Sequence, residues 1–270
     1  MSMTGYFLDS IPGPIILVGT IAVTTLAIEV GYFLGRRRLN RTGEEERGRK
    51  PAAALHASIL ALLAFVLAFA FSLAVNRYDA RKKLVLAEAN SIGTCFLRAE
   101  MLPPPFDTEA RELLLEYVDA RLGAVRPGGL DAAIARSEQL HTQLWTQAVE
   151  VSRLAPESHT LILYTQSLNA LIDLHEDRKI VGVHDRLPGI VWAVLYVVAI
   201  LGMLSLGYHL AISDSRRGLN YIALAIAFSA VISLIADLDR PRVGTLTVEQ
   251  QALEDVQETM IELKDASEAR

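Results

Sequence analysis

Residues 52–75 read AAALHASILALLAFVLAFAFSLAV and run directly into 76–83, NRYDARKK. The first part carries no formal charge and holds no Pro or Gly. A helix rises about 1.5 Å per residue and the hydrocarbon core of a bilayer is roughly 30 Å thick, so this stretch is long enough to cross it. Three further stretches are of the same kind: Gly13–Gly35, Gly189–Ile212 and Leu219–Ala236. Across all four, Glu29 is the only formally charged residue. The chain of 270 residues is 51% apolar and 21% charged, and the apolar excess is concentrated in these stretches. That distribution excludes a soluble globular domain and a disordered chain. One cysteine, Cys95, excludes a disulfide scaffold, and a net charge of −5 offers no basic surface for nucleic acid.

Working outward, residues 1–12 contain Asp9 and neither Lys nor Arg. A secretory signal needs a basic start, so the first apolar stretch reads as a retained membrane helix. The following loop, Arg36–Lys50, carries seven cations, and Ser213–Gly218 carries Arg216 and Arg217. Short cation-rich loops mark the cytoplasmic side. The chain is thus expected as a multi-pass protein of a cell inner membrane. Both termini and the segment Asn76–Leu187 are expected outside the cytoplasm. Long segments cross largely regardless of charge, so Arg77, Arg81, Lys82 and Lys83 do not oppose this.

The segment between the second and third spans reads as helical. Its first helix continues from the second span to about Leu102, where Pro103-Pro104-Pro105 ends it. Helices over 107–125, 130–154 and 157–185 follow, with apolar faces such as Leu114, Tyr117 and Val118, then Leu140, Leu144, Trp145 and Val149, then Tyr164, Leu168 and Leu171. An acidic helix from Val248 to about Lys264 closes the chain. The expected fold class is all-α: four transmembrane helices, with a soluble helical module inserted between helices 2 and 3. The expected divisions are 1–75, 76–187, 188–237 and 238–270.

In the second span, Ala57, Ala61, Ala64, Ala68 and Ser72 share one helical face. Small residues there let membrane helices approach closely, as in a packing seam. On the opposite side, Ile59, Leu63, Val66 and Phe69 (or Phe65) are the candidates for a hydrophobic pore lining. At the polar exit, Arg77 and Arg81 are four apart, and Asn90, Thr94 and Arg98 continue a polar line at the same spacing; the five are offered as an ion entry, or else as a solvated face paired with Asp79 and Glu88. Asp237 and Asp239, beside Arg240 and Arg242, form either a cation-binding acidic cluster or an internal salt bridge that fixes the turn. Glu29 is an acid within a span, a functional candidate or an interfacial group. Glu138-x-x-His141 has di-iron spacing without its required second pair, and His175-Glu176 is a lone neighbour pair. No catalytic residue, metal ligand or cofactor motif is expected.

Two stretches carry a family resemblance. One is RYDARKKLVLAEANSIGT over 77–94, followed by Leu97-Arg98-Ala99 and Leu102-Pro103. The other is DLDRP over 237–241, with Gly244 and Val248 beyond it. Together they resemble the bacterial bestrophin-like membrane proteins. True bestrophins are oligomeric anion channels with helical cytosolic regions after their spans. The resemblance implies a homo-oligomer, a pentamer by analogy, in a lipid bilayer, conducting inorganic anions such as chloride. The leading expectation is an anion-selective pore lined by helix 2. The alternative is a non-conducting anchored module that binds a partner or ligand.

Overall fold

The computed structural model describes residues 11–42, 45–126, 128–213, 219–241 and 244–268. Among them are eight α-helices: α1 (Gly13–Thr42), α2 (Glu45–Ala99), α3 (Phe106–Gly123), α4 (Leu130–Leu154), α5 (His159–Lys179), α6 (Gly189–Ile212), α7 (Leu219–Asp239) and α8 (Gln251–Glu268). No strand occurs among the described residues. Four of the helices, α1, α2, α6 and α7, are long and apolar enough to cross a membrane. The helix across residue 75 is unbroken, as the missing Pro and Gly dictate.

Local chemistry sets the ends. The prolines after Leu102 end α2, and Asp107 and Glu109 place acid in the first turn of α3, where the helix dipole favours it. Helix α5 starts later than the expected residue 157, because Ser158 Oγ accepts the Leu161 N–H at 3.2 Å and caps it. Past Lys179 a π-turn, Ile180–His184, takes up the residues expected as more α-helix.

The chain divides into two compact units. The membrane unit is Met1–Tyr78 with Arg186–Thr247; the helical module is Asp79–Asp185 with Val248–Arg270. The terminal stretch expected as one segment from 238 is thereby shared between them. Leu253 and Met260 of α8 are buried in the module core, which draws that helix there.

In the membrane unit, Leu63, Leu67, Ala70 and Ala74 of α2 pack with Leu195, Ala199 and Met203 of α6 and with Ile232 and Ile235 of α7. Lipid is as apolar as these side chains, so close packing has to hold the helices together. Helices α1 and α6 touch backbone to backbone. A Cβ at Gly31 would lie 2.0 Å from the Leu204 carbonyl oxygen, and one at Gly207 would lie 2.0 Å from that of Ile28. Arg38 Nη1 donates to the Tyr208 hydroxyl at 3.0 Å, so the C-terminal ends of α1 and α6 share one end of the unit.

In the module, Ile92, Cys95 and Phe96 of α2 meet Leu114, Tyr117 and Val118, Leu140 and Leu144, and Tyr164, Leu168 and Leu171. Trp145 and Val149, expected on the inner face of α4, are 42% and 37% exposed. Each follows a buried residue, Leu144 or Ala148, by one position, and the roughly 100° step turns it outward. Burial pushes the Cys95 thiol up to about 12, which leaves it an inert packing group.

Candidate functional site

Helix α2 has two unlike sides within the membrane unit. One is closed: Leu63 is fully buried, and a Cβ at Gly202 of α6 would lie 3.4 Å from Leu63 Cδ2 and 3.7 Å from Ile59 Cγ2. The other is open. Ala57, Ala61, Ala64, Ala68 and Ser72 are all exposed there. Leu62, Phe65 and Phe69 flank them at 52%, 68% and 56% exposure.

The expected lining set is therefore split. Leu63 is turned into its own chain, with Ile59 and Val66 half-buried beside it, while Phe69 is on the open side. Leu63 is corrected from a lining candidate to a core residue. Phe69 lies six positions from Leu63, and about 600° of helix rotation leaves the two roughly 120° apart around the helix. The small-residue stripe, not Ile59 and Leu63, forms the centre of the open face.

The expected ion entry is split as well. Arg77 is half-buried and Arg81 is 6% exposed. Asn90 and Thr94 are exposed. Nine residues separate Arg81 from Asn90, about 900°, which sends them to opposite sides of the helix. Arg81 and Asn90 thus cannot continue one polar line. Arg98 donates Nη1 to the Leu163 carbonyl at 2.7 Å, tying α2 to α5. The exposed polar residues over this part of α2 are Asp79, Lys82, Lys83, Asn90 and Thr94.

Asp237 and Asp239 hold backbone. Asp237 accepts the Thr245 N–H at 3.0 Å and the Leu246 N–H at 3.1 Å, while Asp239 accepts the Leu187 N–H at 2.8 Å. Gly244 closes the turn at φ +146°, with its Cβ position 2.0 Å from Asp237 Oδ1, so no side chain fits there. These contacts tie the carboxylates to backbone N–H groups of the turn and of Leu187, ahead of α6. Glu29 is half-buried in α1. His209 stacks on His56 with ring centroids 5.7 Å apart.

The module holds a buried polar cluster that sequence reasoning did not assemble. Glu88, expected to pair along its own helix, is fully buried and meets Arg121 of α3 at 3.0 Å and Arg178 of α5. Tyr117 donates its hydroxyl to Glu88 at 2.7 Å. Burial alone would raise the Glu88 carboxyl, but Arg178 and Arg121 outweigh it and hold it below the ordinary value. Behind Tyr117 lie His175 and His141, their rings edge to face with centroids 4.9 Å apart. Burial lowers both to about 4, helped at His141 by His175 and at His175 by Arg121. No local pattern announces this cluster, since its members come from four separate helical stretches.

These features define an all-helical membrane protein with a helical module built on its second long helix. The Bestrophin-like domain model matches residues 22–253. The chain belongs to the bestrophin-like family. Among solved structures, a variant of a bacterial bestrophin homologue from Klebsiella pneumoniae is similar at 14% identity and TM-score 0.67, over 93% of this chain and 98% of that one. Another variant of that homologue is similar at 14% identity and TM-score 0.64, over 92% and 97%. A structure described as a membrane protein is similar at 14% identity and TM-score 0.67, over 93% and 97%. At such identity the likeness is one of fold. None of the curated proteins matches the chain.

Proposed function

We propose that this protein is an oligomeric ion channel of the inner membrane, selective for anions such as chloride, with the open face of α2 along its conduction path. The observation that carries the reading is the two-sidedness of α2. One side is filled by its own chain, while the other presents small residues flanked by Phe65 and Phe69. Alanine and serine let identical helices approach, and phenylalanine rings around an axis make a constriction that opens by wetting. Exposed Lys82 and Lys83, with Asn90 and Thr94 beyond, supply cationic and donor groups that suit an anion. True bestrophins, which the sequence resembles, are oligomeric anion channels, and this supports the same reading. Arg38, in the basic C-terminal end of α1, bonds Tyr208 of α6, so the C-terminal ends of both helices share one end of the membrane unit, which supports the cytoplasm facing that end.

The test is purified protein in planar bilayers under a chloride gradient. Chloride-selective current, with its reversal potential near that of chloride, is the expected result. An intact oligomer without conductance at any voltage would remove the channel.

A further inference from the structure

The sequence couples Glu138 to His141 along one helix; the fold instead couples it across to α5. One ligand atom from each of Glu138, His175 and Glu176 lies within 4.8 Å of the other two. His175 is 1% exposed, and its Nε2 is buried with no hydrogen-bond partner. The tautomer of this ring follows from its neighbours. Glu88, ion-paired to two arginines, is a carboxylate and can only accept. The one proton of the Tyr117 hydroxyl is therefore spent on Glu88. His175 Nδ1, 3.3 Å from the same hydroxyl oxygen, must then be the donor, and Nε2 keeps the lone pair. An imidazole held by a hydrogen bond through one nitrogen, with the other free, is the arrangement that metal-binding histidines use.

The carboxylates beside it already attract a cation. Lys179 Nζ lies 3.1 Å from Glu138 Oε1 and 2.6 Å from Glu176 Oε1. Its ammonium donates hydrogen bonds but has no vacant orbital to coordinate a nitrogen or oxygen ligand, as a metal ion has. We propose that Glu138, His175 through Nε2, and Glu176 form a binding site for a divalent transition-metal ion of the zinc class, which displaces the Lys179 ammonium. Imidazole with carboxylates suits zinc, whereas calcium and magnesium take oxygen ligands alone. Glu138 and Glu176 are exposed, so the ion has an entry path from water and keeps water in its remaining position. The bound ion joins α4 to α5. Its histidine ligand is linked through Tyr117 to the Glu88 cluster. This inference stands apart from the conduction reading.

The experiment is calorimetric titration of the full-length, chelator-treated protein in detergent with Zn²⁺ alone, and with Ca²⁺ as comparison. One Zn²⁺ per chain and no matching Ca²⁺ binding are expected. Glu138→Gln and Glu176→Gln, both at exposed positions, each weaken Zn²⁺ binding by about 10-fold or more. Lys179→Met, which removes the competing ammonium, tightens it. Glu116→Gln, which breaks an exposed pair with Arg136 elsewhere, leaves it unchanged. Zn²⁺ binding that neither glutamine variant alters would overturn the site, and so would no binding in both wild type and Lys179→Met.

Discussion

The Tyr117 hydroxyl donates to Glu88 Oε1 at 2.7 Å, inside a module where Glu88 is fully closed off from solvent. Three groups thus answer one carboxylate: this hydroxyl and the guanidiniums of Arg121 and Arg178. Removing the carboxylate leaves two cations facing each other without a counter-charge. Glu88→Ala is expected to destabilise the module by about 3–5 kcal/mol. Tyr117→Phe, which leaves the arginines paired, costs only about 1–3 kcal/mol. Chemical denaturation followed by fluorescence or circular dichroism distinguishes the two, and equal losses would contradict a charge-centred cluster.

Acid should weaken the module in two windows. His141 and His175 have folded values near 4, against 6.5 for the free side chain. The unfolded chain takes up protons first, so their contribution is complete above about 6.5 and is lost as pH falls from there towards 4. Glu88 is also held low, so its contribution is complete above about 4.5 and is lost as pH falls from there through its lowered folded value. Melting temperature against pH should therefore fall between about 6.5 and 4. In His141→Phe the upper part of that fall should shrink, and an unchanged profile would show that this histidine is not buried neutral.

The two sides of α2 should respond differently to truncation. Leu63→Ala cuts into a filled core and is expected to cost about 2–5 kcal/mol of stability with little change in unitary current. Phe69→Ala and Phe65→Ala sit on the open face. On the proposed conduction path, their loss should leave the melting temperature nearly unchanged and raise chloride current several-fold, by widening the proposed constriction. Single-channel recording beside thermal melting checks both. A current change in Leu63→Ala without loss of stability would reverse the assignment of faces.

The backbone contact of α1 with α6 leaves no room at Gly207, where a Cβ falls 2.0 Å from the Ile28 carbonyl oxygen. Gly207→Leu forces the helices apart and should cost about 1–3 kcal/mol or more, seen as a lower melting temperature and reduced yield in detergent. Leucine at Gly13, which has open space around it, provides the contrast and should melt like the wild type.

A topology reporter fused after Leu122 is expected to signal from the extracytoplasmic side, following the cations of the two short loops. A cytoplasmic signal would reverse the orientation while leaving the shared end of α1 and α6 intact.

The chain's own order of residues determined its helices and spans. Uncharged runs of bilayer length, prolines at the breaks and helical spacing of apolar residues are local signals, read without knowing any neighbour. That is why the boundaries of α4 and the continuity of α2 past Val75 follow from the letters alone. Which face of α2 is filled was not legible, because Leu63 and Phe69 are alike in character and differ only in what stands opposite. Helical rotation also separates Arg81 from Asn90, which linear spacing had joined. The pairing of Glu88 with Arg121 and Arg178, and the meeting of Glu138 with His175 and Glu176, depend on residues far apart in sequence. Only the packing of α2, α3, α4 and α5 around a common core brings such groups within bonding distance. Charge and hydrogen bonding act over ångströms, and distance along the chain says little about distance in the fold.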